Sequence, residues 1–313
     1  MSTVLSDHDI LYSVLGGLQP GGTVFSWIAG LTACEALRLT QRFDENTSWD
    51  KRLFVYFSLV MSVTQAGLFA AMLYHYCIQS YGNYHQLLHI THVVQFHYIF
   101  SRIATCAGYT FYAYSVWASG LGKMKICKVP IIRIVTALLL LGVYVVIVIG
   151  IPRALSLSKF ETVANHGSFG PWGHFVQLIC GGLLTLLKAG DLVSSKPVRE
   201  QLASDQHWTR HASAILCLMV QTAVFTTGFD LVTYSLRNAK GAGFGYSMMS
   251  LTAEIHLLGP IMAISATLQE DFLAEQAAAS TCPIGQTECQ TAVPSTTRRL
   301  TFQTQEKRMM KDY

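Results

Sequence analysis

Charge is scarce in this chain. Only 13% of its 313 residues are Asp, Glu, Lys or Arg, against about 25% in an ordinary soluble domain. Half the side chains (51%) are hydrophobic and mean hydropathy is +0.36. A soluble globule is excluded and an integral membrane protein is expected. The net charge of +4 is no nucleic-acid signal, because the basic residues are scattered between apolar runs. A disulfide framework is also missing. Of the eight cysteines, Cys34, Cys106, Cys180 and Cys217 sit inside apolar runs, and only Cys77 falls near a predicted outer surface. The N-terminus lacks a basic stretch followed by a short apolar core, so the first span is expected to be its own insertion signal. No phosphate-binding glycine loop and no nucleophile elbow occur. Nothing calls for a cofactor.

What is present is a series of apolar segments, each close to the ~20 residues that cross the hydrocarbon core. The sequence predicts seven spans: 23–40, 52–79, 89–118, 131–151, 171–192, 211–236 and 244–268. Residues 1–22 read as a short extracellular start, ending in the helix-breaking Gln19-Pro20-Gly21-Gly22. Ser80-Tyr81-Gly82-Asn83 reads as a turn, and Pro152 as the end of the fourth span. The seven-helix transmembrane domain is taken as 23–269. Residues 270–313 lose apolar periodicity and read as a disordered cytosolic tail, with Arg298-Arg299-Leu300-Thr301 resembling a basophilic kinase site.

Lysine and arginine set the orientation. Segments 38–52, 119–133, 188–210 and the tail hold seventeen of them, the alternate segments four, and Arg102 is the remaining one of 22. The positive-inside rule therefore puts the N-terminus outside and the C-terminus in the cytosol. The sequon Asn46-Thr47-Ser48 falls on the cytosolic side and is expected to stay unmodified.

The third span is the most informative. Thr91, Gln95, Tyr98, Arg102, Thr105, Tyr109 and Tyr112 recur at steps of three or four and share one helix face. The flanks include Val93, Val94, Phe96, Phe100, Ile103, Ala107 and Phe111. In a membrane bundle the polar face turns inward, away from lipid. A cation at that depth is costly and marks a functional site. Arg102 and Glu254 lie at similar depth and are expected to pair across the bundle. Span six repeats the pattern with Thr222, Thr226, Asp230, Thr233 and Arg237, and Asp230 and Glu254 together suggest an outward-facing polar cavity. Glu35–Arg38 and Lys188–Asp191 read as local interfacial pairs. His75, His85, His89, His92 and His97 cluster at the outer ends of spans two and three. His85, His89 and His92 have metal-ligand spacing, but interfacial histidines on an amphipathic turn are the commoner case and no metal site is assigned. Candidate ligand-binding residues are Gln95, Tyr98, Arg102, Tyr109, Asp230 and Glu254, with no catalytic residue.

Several stretches resemble one family. These are Met72-Leu73-Tyr74-His75-Tyr76, the Tyr81-Gly82-Asn83 turn, Phe111-Tyr112-Ala113-Tyr114-Ser115-Val116-Trp117, Ala189-Gly190-Asp191 and Phe225-Thr226-Thr227-Gly228. Together, over about residues 20–270, the chain resembles the basidiomycete fungal seven-transmembrane proteins defined by a domain of unknown function. It departs at Gly259-Pro260-Ile261-Met262-Ala263-Ile264-Ser265, where that family carries a Ser/Asn/Arg-rich ending. The resemblance implies a seven-helix fold and a membrane address, and no activity.

Three function classes are open, in order of preference. The first is a receptor-like sensor of the plasma membrane, with a small-molecule ligand in the bundle and a cytosolic partner for the tail. The second is a transporter or channel using the buried Arg, Asp and Glu, although no broken-helix pair or internal repeat is visible. The third is a membrane-embedded, cyclase-like enzyme using Asp230 and Glu254 as acids. A retinal Schiff base is excluded, since the last span has no lysine. A rhodopsin-like receptor is disfavoured, since span three lacks the cysteine at its top and the acidic-Arg-Tyr triplet at its foot.

Overall fold

The computed structural model describes residues 7–45, 47–80, 82–87, 89–118, 131–156, 170–194, 224–240 and 250–268. Among these the secondary structure is helical, with seven long helices: α1 (Asp7–Thr40), α2 (Trp49–Tyr74), α3 (His92–Ala118), α4 (Ile131–Ser156), α5 (Gly170–Ser194), α6 (Val224–Lys240) and α7 (Ser250–Leu268). Three are long and apolar enough to cross a membrane: α2 with its extension to Gln79, α4 as far as Pro152, and α7. The shorter segment Phe175–Gly190 in α5 is also apolar.

Two predicted boundaries move. The first helix does not wait for Gly22 but begins at Asp7 and passes through Pro20. Likewise α4 does not stop at Pro152 but runs on to Ser156. Proline removes one backbone hydrogen bond and crowds the preceding turn, and in both helices the structure continues past that local fault. The expected first half of span six (211–223), the start of span seven (244–249), the loops 119–130 and 195–210, and the tail lie outside the described residues.

The end of α2 widens into a π-turn, His75–Gln79. It carries Tyr76 inward, where its hydroxyl donates to the His89 carbonyl at 2.8 Å and accepts from the Thr91 amide at 3.2 Å. The predicted turn comes next. Gly82 has φ 78° and the Asn83 amide bonds the Ser80 carbonyl at 3.0 Å, as a type II turn requires. Asn83 Oδ1 then accepts from the Gln86 amide at 3.2 Å, opening the short helix Tyr84–Leu87.

Consecutive helices from α1 to α6 pack as neighbours. α3 occupies the middle, touching α2, α4, α5, α6 and α7. α7 closes the bundle. It meets α1 and α2 through Ala36, Leu39, Val55, Ile261 and Ile264, and α3 through Ala104, Ala253 and Leu257. A side chain at Gly108 would collide with the backbone of His256, so glycine there lets α3 and α7 touch closely.

The packing is inverted relative to a soluble protein. Large apolar residues face outward on all seven helices, such as Trp27, Val60, Phe96, Val148, Leu186, Leu231 and Met262. The buried set is rich in Ser, Thr, Gln, His and charge. An exposed apolar belt of this kind suits lipid and not water.

Candidate functional site

The inward face of α3 forms as its spacing predicts. Gln95, Tyr98, Arg102, Thr105, Tyr109 and Tyr112 are all buried, while Phe96 and Ile103 on the flanks are exposed. Val94 departs from the flank pattern and packs inside with Phe25 and Phe69.

The centre is a chain of polar side chains crossing four helices. Arg102 Nη1 donates to Gln177 Oε1 on α5 at 3.0 Å. The Arg102 guanidinium also lies 5.1 Å from the ring centroid of Tyr98, one turn away, a cation–π arrangement. Gln177 in turn lies within hydrogen-bonding reach of the Tyr109 hydroxyl. Tyr109 donates to Asp230 Oδ2 on α6. His256 on α7 reaches the same oxygen through Nε2 at 3.2 Å, and its ring packs 4.5 Å from that of Tyr109. Every member is buried: Arg102 is 2% exposed, Gln177 4%, Asp230 8% and His256 0%. The Tyr109 phenol lies over Gly181, where a Cβ would come within 2.8 Å of its Cε1. The missing side chain on α5 is what leaves room for the phenol.

Magnitudes separate this chain from ordinary helix packing. The hydroxyl pairs Thr185–Thr227 and Thr233–Thr252, each 2.7 Å, join α5 to α6 and α6 to α7. Pairs of that sort contribute about 0.6 kcal/mol each. Removing one partner from a buried ion costs about 3–5 kcal/mol. The integrity of the interior therefore rests on how Arg102 and Asp230 are satisfied, far more than on the threonines.

The other expectations divide. Thr226, Asp230 and Thr233 share the buried face of α6, whereas the side chains of Thr222 and Arg237 lie outside the described set. Glu35 and Arg38 form the local pair at 3.6 Å, with Ser265 of α7 also donating to Glu35 at 2.7 Å. The Asp191 side chain is outside the described set. Gln95 stays apart from the central chain, bonding His92 at 2.9 Å and the Leu155 carbonyl of α4 at 3.1 Å. His97 does not join an outer histidine cluster. It is fully buried, with its ring against Phe25 and Phe69.

One expectation fails outright: Arg102 and Glu254 do not pair. Arg102 turns to α5, and Glu254 turns to α1 and α2, where Ser62 Oγ donates to it at 3.0 Å. Equal depth did not bring the two together because they face different sides of the bundle. Asp230 and Glu254 likewise take different partners, Tyr109 and His256 for the one and Ser62 for the other. Glu254 and His256 are two residues apart and face opposite sides of α7, and Asp230 goes with His256. Paired carboxylates for acid chemistry are therefore absent among the described residues.

No family model, curated protein or solved structure matches this chain. The site therefore has to be read from its own chemistry. Gln177 and His256 were missed in the sequence. Each was legible as a lone polar residue inside an apolar run, but neither carried a periodic pattern.

Proposed function

We infer that the protein is a receptor-like sensor of the plasma membrane. In this reading seven helices span the bilayer, N-terminus outside and C-terminus in the cytosol. A small-molecule ligand binds within the bundle against Arg102 and Asp230. The observation that carries it is the buried chain Arg102–Gln177–Tyr109–Asp230–His256, set inside helices with apolar outer faces. A charged residue at membrane depth costs about 2.5–3.5 kcal/mol on insertion scales, and residues of this kind mark sites more than packing. Seven spans are supported by outward apolar residues on all seven helices and by the seventeen-to-four bias of basic residues between alternate segments. The polar inner face of α3 accounts for its lower apolar character, and the described part of α6 is only 17 residues long. A ligand that breaks one link of the chain changes how α3, α5, α6 and α7 pack, which is the differential contact a sensor needs.

The test is thermal unfolding of the purified protein with a panel of small amphipathic acids and amines. Members that stabilise the wild type should lose their effect in Asp230→Asn and Tyr109→Phe. Stabilisation that persists in both variants would remove this site from the reading. A transporter is the second reading, because phenol, carboxylate and imidazole stand in hydrogen-bonded succession and such a set can pass a proton. Proton flux into proteoliposomes that disappears in Asp230→Asn would decide for it.

A further inference from the structure

Glu254 lies on the other side of α7 from that chain, and among the described residues no cation is paired with it. The side chain is fully buried, as are Thr32, Ser58, Ser62 and Gln65. Ser62 Oγ is 3.0 Å from Glu254 Oε2, and the Thr32 hydroxyl faces the same carboxyl. A hydroxyl has a single proton, and each of these two has a competing acceptor. For Ser62 it is the Ala29 carbonyl at 3.1 Å, and for Thr32 the Ile28 carbonyl at 2.8 Å. Glu254 Oε1 has no hydrogen-bond donor among the described residues. Gln65 Nε2, one turn along α2, and Ser58 Oγ, one turn the other way, are likewise buried without partners among the described residues.

The charged groups nearby are engaged elsewhere. On α1, Glu35 is held by Arg38 and Ser265. On α3, His97 is linked through Ser101 to Gln65, and Arg102 is turned to α5. On α7, His256 is bound to Asp230. The α2 segment from Ser58 to Phe69 has no titratable residue. An ionised Glu254 would be a charge in the interior with Ser62 as donor and no countercharge among the described residues, which costs several kcal/mol per ion.

We propose that Glu254, Ser62 and Thr32 form a binding site for one monovalent cation, a proton or a sodium ion, held between α1, α2 and α7. A proton on Oε2 donates to Ser62, releasing the Ser62 proton to Ala29 and the Thr32 proton to Ile28. Each of these three protons then has one acceptor. Sodium achieves the same balance by taking the carboxylate and the hydroxyl lone pairs, leaving both hydroxyl protons on the carbonyls. A divalent ion does not fit, because a single carboxylate leaves half its charge uncompensated. The site stands whether or not a ligand binds at Arg102 and Asp230.

The experiment compares wild type, Glu254→Gln and Ser62→Ala of the full chain in detergent. Infrared difference spectra report a neutral carboxyl, and thermal unfolding is followed in sodium chloride against equimolar choline chloride. A neutral-carboxyl carbonyl band at neutral pH, lost in Glu254→Gln, assigns the proton. A midpoint that climbs with sodium in wild type and stays flat in Glu254→Gln assigns the ion. Glutamine has the shape of the neutral acid and brings its own donors, so this variant is expected to fold. Ser62→Ala should shift the band, or weaken sodium binding by about tenfold or more. If wild type shows neither band nor sodium dependence, or if Ser62→Ala leaves both unchanged, the site does not exist.

Discussion

At the scale of single residues, two glycines hold the interior together by what they leave out. Gly181 admits the Tyr109 phenol. Gly259 faces the Tyr112 hydroxyl, which a Cβ would approach to 2.6 Å, with the Tyr112 ring carbon behind it at 3.8 Å. The Thr226 methyl stands at 3.2 Å, so the Tyr112 oxygen is the nearer of two obstacles at Gly259. Gly259→Ala should destabilise by about 1–3 kcal/mol through overpacking. Combining it with Tyr112→Phe should recover part of that loss, the Thr226 contact remaining, read as a positive coupling in a double-mutant cycle of thermal unfolding. Equal losses in the single and double variants would mean that the backbone, and not the hydroxyl, sets the limit. Neither contact was legible in the sequence. The spacing put Tyr109 and Tyr112 on the inner face, but which small residue each tyrosine would meet depends on how helices far apart in sequence approach.

At the scale of elements, α3 was the most readable, because six of the seven predicted polar residues fall on it at helical steps and leave one consistent orientation, Thr91 standing just ahead of its first turn. α2 was read as a span and is long and apolar enough to be one, but its π-turn was not foreseen. One wide turn alters the phase of every later residue in the helix, and a hydropathy pattern does not register it. The result is a clamp: the Tyr76 hydroxyl holds both the His89 carbonyl and the Thr91 amide, fixing the entry to α3. Tyr76→Phe should leave the span intact and loosen residues 89–91. Hydrogen exchange at the Thr91 amide is expected to accelerate by about fivefold, one hydrogen bond being worth about 1 kcal/mol. Unchanged exchange would mean that the turn is held by other contacts. α6 and α7 show the limit of the same reasoning. Asp230 and Glu254 were each placed inside, yet their partners depend on helix rotation, which charge and depth alone do not determine.

At the scale of the whole molecule, the apolar exterior and polar interior were implied by composition, and the orientation by where basic residues accumulate. Both meet one direct check. The exposed, unpaired thiol of Cys77 sits beside the turn that the proposed topology puts outside, so a membrane-impermeant maleimide should label it on intact cells. Asn46 should carry no glycan on a gel-shift assay. Labelling of Cys77 only after permeabilisation would reverse the orientation.

The place of α7 has a further consequence. Among its side chains only Met262 is exposed, yet it is the last of the seven helices to leave the ribosome. Until it arrives, Asp230 lacks its imidazole, Ser62 its carboxylate and Glu35 its serine. The nascent six-helix product thus carries an open polar seam that only the seventh helix closes.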